Sequence, residues 1–330
     1  MKDHFKLSDI TVVGNTTWGQ ALSYLIQKKN KKVTILCRDS KETTNRSNRI
    51  DKSRPLSDKI SLSANTSAIL NKSNLLILTF PSQTTRQNLQ ILKPYITSEH
   101  NFLIASKGIE KSTGKRISEI ILEELPNSKK ENIAVLSGPN LAKEIYNGKS
   151  TSSVIASNNT YLIKELRNII ESDNFKIYSS NDMIGVELGG ALKNIVTLGA
   201  GICDGLSLGN NLKGAFISIA FSEIVQIATK AGANPITISG LSGLGDTLAS
   251  SYSPLSRNRS AGELIGEKNS INSLKTKINN VIEGLDTLYG AKQLSDKISH
   301  NAQFIDLMIR VCTQQTDPMS LIKNTIGEIE

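Results

Sequence analysis

The chain has 330 residues, of which 21% are charged and 38% hydrophobic, with a formal charge of +9. That length holds two domains with separate cores, and that balance excludes a disordered chain. The positive excess favours anionic partners. With aromatics at 5% and no basic run interleaved with them, it points to phosphorylated small molecules rather than nucleic acid.

Cys37, Cys203 and Cys312 are odd in number and lack paired spacing, which argues against a disulfide framework or a zinc site. His4, His100 and His300 have no His, Cys or carboxylate partner at ligand spacing, so no metal is expected. The N-terminal basic residues are not followed by an apolar stretch, and Lys193 and Asp204 interrupt the best long apolar run. A cytoplasmic protein with no membrane span is expected.

In chain order, Ile10 to Val13 is a short β-rich run that ends at Gly14. The next residues place Trp18, Leu22, Leu25 and Ile26 on one helical face, and Lys32 to Leu36 read as a second buried strand. Strand, glycine turn, helix and strand make the βαβ unit of a dinucleotide-binding fold. Its turn, Gly14-Asn15-Thr16-Thr17-Trp18-Gly19, carries Thr16 where G-x-G-x-x-G has its middle glycine. Gly14, Thr17, Trp18 and Gly19 are the cofactor candidates there. Arg38, past the second strand, favours the 2′-phosphate of NADP over NAD, and a surface arginine is the plain alternative. Lys41 to Lys59 is polar and strand-poor, which predicts a mobile loop.

Further strands are predicted at Leu75 to Thr79, Phe102 to Ser106, Ile133 to Ser137, Ser153 to Ala156 and Lys176 to Tyr178. Helices alternate with them at Gln83 to Leu92, Ile117 to Leu125, Leu141 to Tyr146 and Tyr161 to Glu171. This alternation implies a largely parallel sheet covered on both faces, with ligands outside the carboxyl ends of its strands. Phe80-Pro81-Ser82, Ser106-Lys107-Gly108 and Ser137-Gly138-Pro139-Asn140 fall at that edge.

From Asp182 the pattern is helical. Glu187 to Asn211 predicts one long buried helix carrying Gly189, Gly190, Gly199 and Gly201, each costing about 1 kcal/mol against alanine. So many glycines imply that backbone or ligand approaches closely there, with Lys193 on the face of the first glycine pair. Alone, Lys193 reads first as a lysine snorkelling to the surface. A helix from Lys213 to Lys230, a glycine-rich link from Gly240 to Asp246 and further helices follow. The expected architecture is α/β. A Rossmann-like dinucleotide-binding domain at 1–181 precedes an all-helical substrate-binding domain at 182–330, with a cleft between them.

The strings SKGIE (Ser106–Glu110), SGPNLAKE (Ser137–Glu144), GVELGGALKNI (Gly185–Ile195), GLSGLGD (Gly240–Asp246), SRN (Ser256–Asn258) and VIEG (Val281–Gly284) occur in order. Together they resemble bacterial-type NAD(P)-dependent glycerol-3-phosphate dehydrogenase, from the first strand to beyond Gly284. After about Asp286 only the helical character matches. The resemblance implies interconversion of dihydroxyacetone phosphate and sn-glycerol 3-phosphate, supplying phospholipid synthesis, by a homodimer using NAD or NADP. It implies Lys193 as proton acceptor. It implies Lys107, Gly138, Asn140, Asp246, Ser256, Arg257 and Asn258 as substrate contacts. Trp18, Arg38, Lys107, Ala142, Arg257, Val281 and Glu283 are the implied cofactor contacts. Three departures stand out: Thr16, Ser250 where the family has Thr, and the stretch Arg46 to Asp58, which lacks the family's Tyr-Leu-Pro-Gly pattern.

Ketone reduction develops negative charge on oxygen, which a positioned cation or acid must stabilise and protonate. Lys193 fits both tasks, provided its pKa is pulled below about 10.4 by burial and by Lys107, with Asp246 opposing. Asn194 is the candidate to orient it. Arg257 and Asn258 suit the phosphate, since arginine presents a planar fork. Glu187 and Glu283 are left between local pairing and site roles. A carboxylate-reducing hydroxyacid dehydrogenase of the same architecture would need no Ser256-Arg257-Asn258 site. A dinucleotide sensor without turnover is the non-enzymatic reading.

Overall fold

The structure, a computed structural model, describes residues 7, 9–44, 50, 57–268, 277–278 and 281–327. They divide into two units, one drawn from 1–106 and 117–183, the other from 107–116 and 184–330.

The first unit is built on an eight-stranded sheet in the order β3-β2-β1-β4-β5-β6-β7-β8. β1 (Ile10–Val13), β2 (Val33–Leu36), β3 (Ile60–Ser63), β4 (Leu75–Leu78), β5 (Asn101–Ile104) and β6 (Ile133–Ser137) pair in parallel. β7 (Thr151–Ala156) runs antiparallel to β6, and β8 (Phe175–Ser180) is parallel to β7. β1 and β4 are buried along their whole length, as continuous apolar runs in a two-sided parallel sheet should be. The strand order reverses between them, the place where such sheets bind ligands.

The clusters expected at the carboxyl edge do follow β4, β5 and β6, and Ser106 Oγ donates to the carbonyl of Phe80 at 2.6 Å. The sequence reading missed β3, whose ISLS has two apolar residues, and the helix Thr66–Leu70, whose Asn65 caps Ala68 N. In the stretch expected as a loop, Ser40–Thr44 is helical. Residues 45–49 and 51–56, which hold most of the Arg46 to Asp58 departure, lie outside the described residues.

The second unit packs around one helix, α8 (Met183–Gly205), counting the first unit's helices as α1 (Thr17–Lys28), α2 (Ser40–Thr44), α3 (Thr66–Leu70), α4 (Thr85–Leu92), α5 (Ile117–Glu124), α6 (Ala142–Tyr146) and α7 (Thr160–Ile170). α8 is apolar and long enough to cross a membrane, but its apolar span is wholly buried in the protein. It does not reach Asn211. Ser207 at φ 56° and Gly209 at φ 76° turn the chain, and α9 (Gly209–Lys230) starts afresh. Leu206 and Leu208 pack on the core within the turn, which hides the break from an apolar-periodicity reading. Asp204 ties the ends together: it accepts from Lys213 Nζ at 2.8 and 2.9 Å and pairs with Arg259 Nε at 2.7 Å.

Of the two alternatives, close backbone or close ligand, Gly189, Gly199 and Gly201 of α8 make room for protein. A Cβ on Gly201 would lie 2.0 Å from the Arg259 carbonyl oxygen, and one on Gly199 2.6 Å from the Phe216 ring. The facing helix, α12 (Arg257–Gly266), answers in kind: a Cβ on Gly262 would lie 1.9 Å from the Leu198 carbonyl oxygen. Two backbones therefore touch, at a separation any side chain would forbid. The glycine-rich link is also helical. After α10 (Pro235–Ile238), Leu241–Gly245 forms a π-helical turn that continues into α11 (Asp246–Ser251). Gly189 of α8 meets the backbone of Gly243 in that turn. Helices Glu283–Lys297, Gln303–Cys312 and Pro318–Ile326 complete the unit.

Candidate active site

Within the second unit four segments bring charge to one place. α8 carries Lys193, which is 6% exposed, and α11 carries Asp246, 2% exposed. Lys193 Nζ donates to Asp246 Oδ1 at 2.9 Å and to Ser250 Oγ at 2.6 Å, and Ser250 Oγ donates in turn to Asp246 Oδ1 at 3.1 Å. Ser250 lies one helical turn beyond Asp246, on the same face. Lys107, from the segment 107–116, donates to the other carboxylate oxygen, Oδ2, at 2.5 Å. One buried carboxylate thus holds two lysines.

Burial pulls the Lys193 pKa down and Asp246 opposes it. Lys107 and Arg257 add to the fall, bringing the value to about 8. Burial alone would raise the Asp246 carboxyl, but Lys107 and Lys193 outweigh it and hold the group below its ordinary value. The snorkelling alternative for Lys193 does not apply in this geometry.

α12 is the fourth segment. Ser256 caps it, its Oγ accepting from Arg259 N at 3.3 Å. Arg257 opens the helix at the surface. Asn258 Nδ2 donates to Asn194 Oδ1 at 2.8 Å and Asn258 Oδ1 accepts from Gly284 N at 2.9 Å, so three motifs distant in sequence meet at one amide. Val281, 41% exposed, and Glu283 sit beside that junction at the start of the helix Glu283–Lys297.

Glu187 resolves to pairing: its Oε2 lies 3.2 Å from Arg116 Nη1, with Glu187 4% exposed. Arg116 is a residue the sequence reading did not single out. It lies in the same segment as Lys107, and Gly114 between them packs on the backbone of Gly290 and Leu294. No spacing signal joins Arg116 to Glu187, which is 71 residues away.

In the first unit the turn after β1 is formed as a dinucleotide turn. Gly14 adopts φ 107°, and a Cβ on Gly19 would lie 2.7 Å from the Gly14 carbonyl oxygen, so both outer glycines are required. Thr16 is not strained, at φ −94° and ψ 162°. Its Oγ1 accepts from Gly19 N at 3.0 Å, capping α1, and donates to the carbonyl of Thr79 at 3.2 Å. Thr17 opens α1, whose first turn holds no acid, leaving a helix N-terminus suited to phosphate. Trp18 Nε1 donates to the carbonyl of Ala105 at 3.0 Å. Arg38 Nη2 lies 3.0 Å from Glu42 Oε1. Past β6, Gly138 at φ 148° passes close to the Ser153 backbone, and Ser153 Oγ donates to Asn140 Oδ1 at 2.6 Å. The amide nitrogen of Asn140 is buried and has no hydrogen-bond partner among the described residues, the mark of a group arranged for a ligand. Ala142 opens α6 just beyond. These features fit a nicotinamide dinucleotide. Of the predicted site residues, Gly14, Thr17, Trp18, Gly19, Arg38, Gly138, Asn140 and Ala142 belong to the first unit. Lys107, Lys193, Asn194, Asp246, Ser256, Arg257, Asn258, Val281 and Glu283 belong to the second.

Two family models cover most of the chain. The N-terminus of NAD-dependent glycerol-3-phosphate dehydrogenase matches residues 9–163, and its C-terminus matches residues 182–323. The glycerol-3-phosphate dehydrogenase [NAD(P)+] of Dehalococcoides mccartyi is 35% identical over 318 residues, covering 94% of this chain and 89% of that protein. The Bacillus cereus enzyme of the same name is 36% identical over 298 residues, covering 88% and 87%. A crystal structure of glycerol-3-phosphate dehydrogenase from Coxiella burnetii superposes with a TM-score of 0.91 at 27% identity, covering 98% of this chain and 99% of that one. Both halves of the chain and the arrangement of its elements therefore agree: this protein belongs to the NAD-dependent glycerol-3-phosphate dehydrogenase family.

Proposed function

We propose that the protein catalyses the reversible NAD(P)H-dependent reduction of dihydroxyacetone phosphate to sn-glycerol 3-phosphate, feeding glycerophospholipid synthesis. The observation that carries this reading is the buried Lys193–Asp246–Lys107 cluster, two cations on one carboxylate, with Arg257 close enough to act on Lys193. Such a site has positive charge to spare for a phosphate and for an oxygen becoming an alkoxide.

Bound NAD(P)H supplies the hydride. The turn from Gly14 to Gly19 and the N-terminus of α1 would hold its phosphates, with Trp18, Arg38 and Ala142 as further contacts of that unit, and the family resemblance adds Val281 and Glu283. Arg257, at the start of α12, pairs with the substrate phosphate, and Ser256 and Asn258 frame it. Gly138 and Asn140 take the substrate's polar groups. Anchoring the phosphate away from the reacting carbon fixes the ketone for attack. Two donors of the Lys193 ammonium are engaged by Asp246 and Ser250, and the third serves the ketone oxygen. As charge develops there Lys193 gives up its proton, and the neutral amine stays held by Ser250 and Asp246. In the reverse direction the neutral amine takes the proton of the substrate hydroxyl. Lys107 lowers the cost of losing the ammonium proton, and Asn194 holds Asn258 in place.

The test is a nicotinamide absorbance assay with dihydroxyacetone phosphate against 2- and 3-oxo acids, each with NADH and with NADPH. Turnover of the phosphate ketone alone supports the reading, and its absence overturns it. The family resemblance further supports a homodimer in the cytoplasm, and a sedimentation mass near twice 35.9 kDa checks the dimer.

A further inference from the structure

Arg38 is assigned above to the 2′ end of the cofactor's adenosine ribose, and the inference here rests on that reading. In the structure Arg38 meets Glu42. The carboxylate accepts at both oxygens, from Arg38 Nη2 at 3.0 Å through Oε1 and from the Arg38 backbone N–H at 2.9 Å through Oε2. It is thereby fixed just past the carboxyl end of β2. The Glu42 side chain is 18% exposed against 83% for Arg38, so the acid is the anchored partner and the arginine the one able to swing. Asp39, the acid nearer the strand, caps α2 instead, its Oδ1 accepting from Glu42 N at 3.0 Å. The field of Glu42 reaches its neighbours: the Cys37 thiol is pushed up to about 11 by burial and, next, by Glu42.

We propose that Glu42 is a specificity-determining residue that sets the balance between NADH and NADPH. A 2′-phosphate brings up to about two negative charges at neutral pH. Whether it takes Nη2 from Glu42 or binds the other N–H groups of the guanidinium, it sits beside that carboxylate. A 2′-hydroxyl carries no charge and donates to that same carboxylate. An acid at the end of this strand is the group that receives a ribose hydroxyl in dinucleotide folds, and here it stands one helical turn beyond the usual position. Arg38 and Glu42 together therefore hold an arginine for one cofactor and an acid for the other, each restraining the partner's ligand.

The experiment titrates the wild-type chain, Glu42→Gln and Glu42→Lys with NADH and with NADPH, reading the fluorescence of Trp18, the one tryptophan in the chain. The quantity of interest is the ratio of the NADPH to the NADH dissociation constant. Removing a carboxylate that faces a phosphate across about 5 Å of solvent should lower that ratio about fivefold, and reversing the charge should lower it further. A ratio that is unchanged or raised in both variants, with wild type binding both dinucleotides, overturns the role of Glu42 and leaves the cofactor reading standing. A wild-type chain that binds neither dinucleotide overturns both.

Discussion

At Lys193, burial strips water from the ammonium while Asp246 supports it and Lys107 and Arg257 push against it. The result is a group that titrates at about 8 in place of 10.5. Because the shift is downward, Lys193 is an ammonium below that pH and an amine above it. On the proposed mechanism kcat/KM for ketone reduction is level at lower pH and declines as pH rises through about 8. For alcohol oxidation it climbs through the same region, and paired pH profiles check the opposite signs. Lys107→Met removes one of the two cations that depress Lys193, so both limbs should move to higher pH. Lys193→Met should cut turnover by about 10²–10⁴-fold while dinucleotide binding, followed by titration, persists. Arg257→Ala should raise KM for the phosphate substrate at least about tenfold, since charged hydrogen bonds are worth about 1.5–3 kcal/mol, and an unchanged KM would remove Arg257 from the phosphate. Lys193 and Asp246 were legible because their motifs stand in order along the chain. Arg116 and Glu42 were not: one finds its partner only through tertiary folding, and the other sits in a short polar helix with no apolar period to mark it.

Among the elements, contact between α8 and α12 connects packing to chemistry. The two backbones meet at Gly201 and Gly262, and this closeness lets Asn258 reach Asn194. Gly201→Ala would drive a methyl into the Arg259 carbonyl. A cost of about 3 kcal/mol or more is expected, visible as a lower denaturation midpoint together with a fall in kcat/KM as α12 backs away. The glycine count in α8 announced a close approach, but whether backbone or ligand made it was not written in one helix; the answer lay in α12, more than fifty residues on. The β-rich runs and the βαβ order were readable because buried parallel strands are continuously apolar. β3, an edge strand with alternating serines, gave no such signal. Thr16 shows a further limit. A fingerprint position reads as a lost glycine, yet the side chain replaces it with a cap. Thr16→Ala should lower stability by about 1 kcal/mol, and Thr16→Gly by less, in urea denaturation.

Across the whole molecule, the second unit is not one continuous stretch of chain. Residues 107–116 belong to it although the flanking residues belong to the first. A fragment that begins at Ile184 lacks Lys107, and also lacks Ile109, which is fully buried in that unit's core. Such a fragment should melt below the intact chain, and calorimetry or circular dichroism on both would check it. This discontinuity also sets a timetable. Lys107 and Asp246 are 139 residues apart, and synthesis runs at about 5–20 residues per second. Lys107 therefore leaves the ribosome roughly 7–28 s before the carboxylate that will hold it. Loop closure over that span must await synthesis past residue 246 of the 330. A nascent protein can have its nucleotide-binding sheet in place while it is still chemically silent, and competence to move a proton arrives as one of the last events of its making.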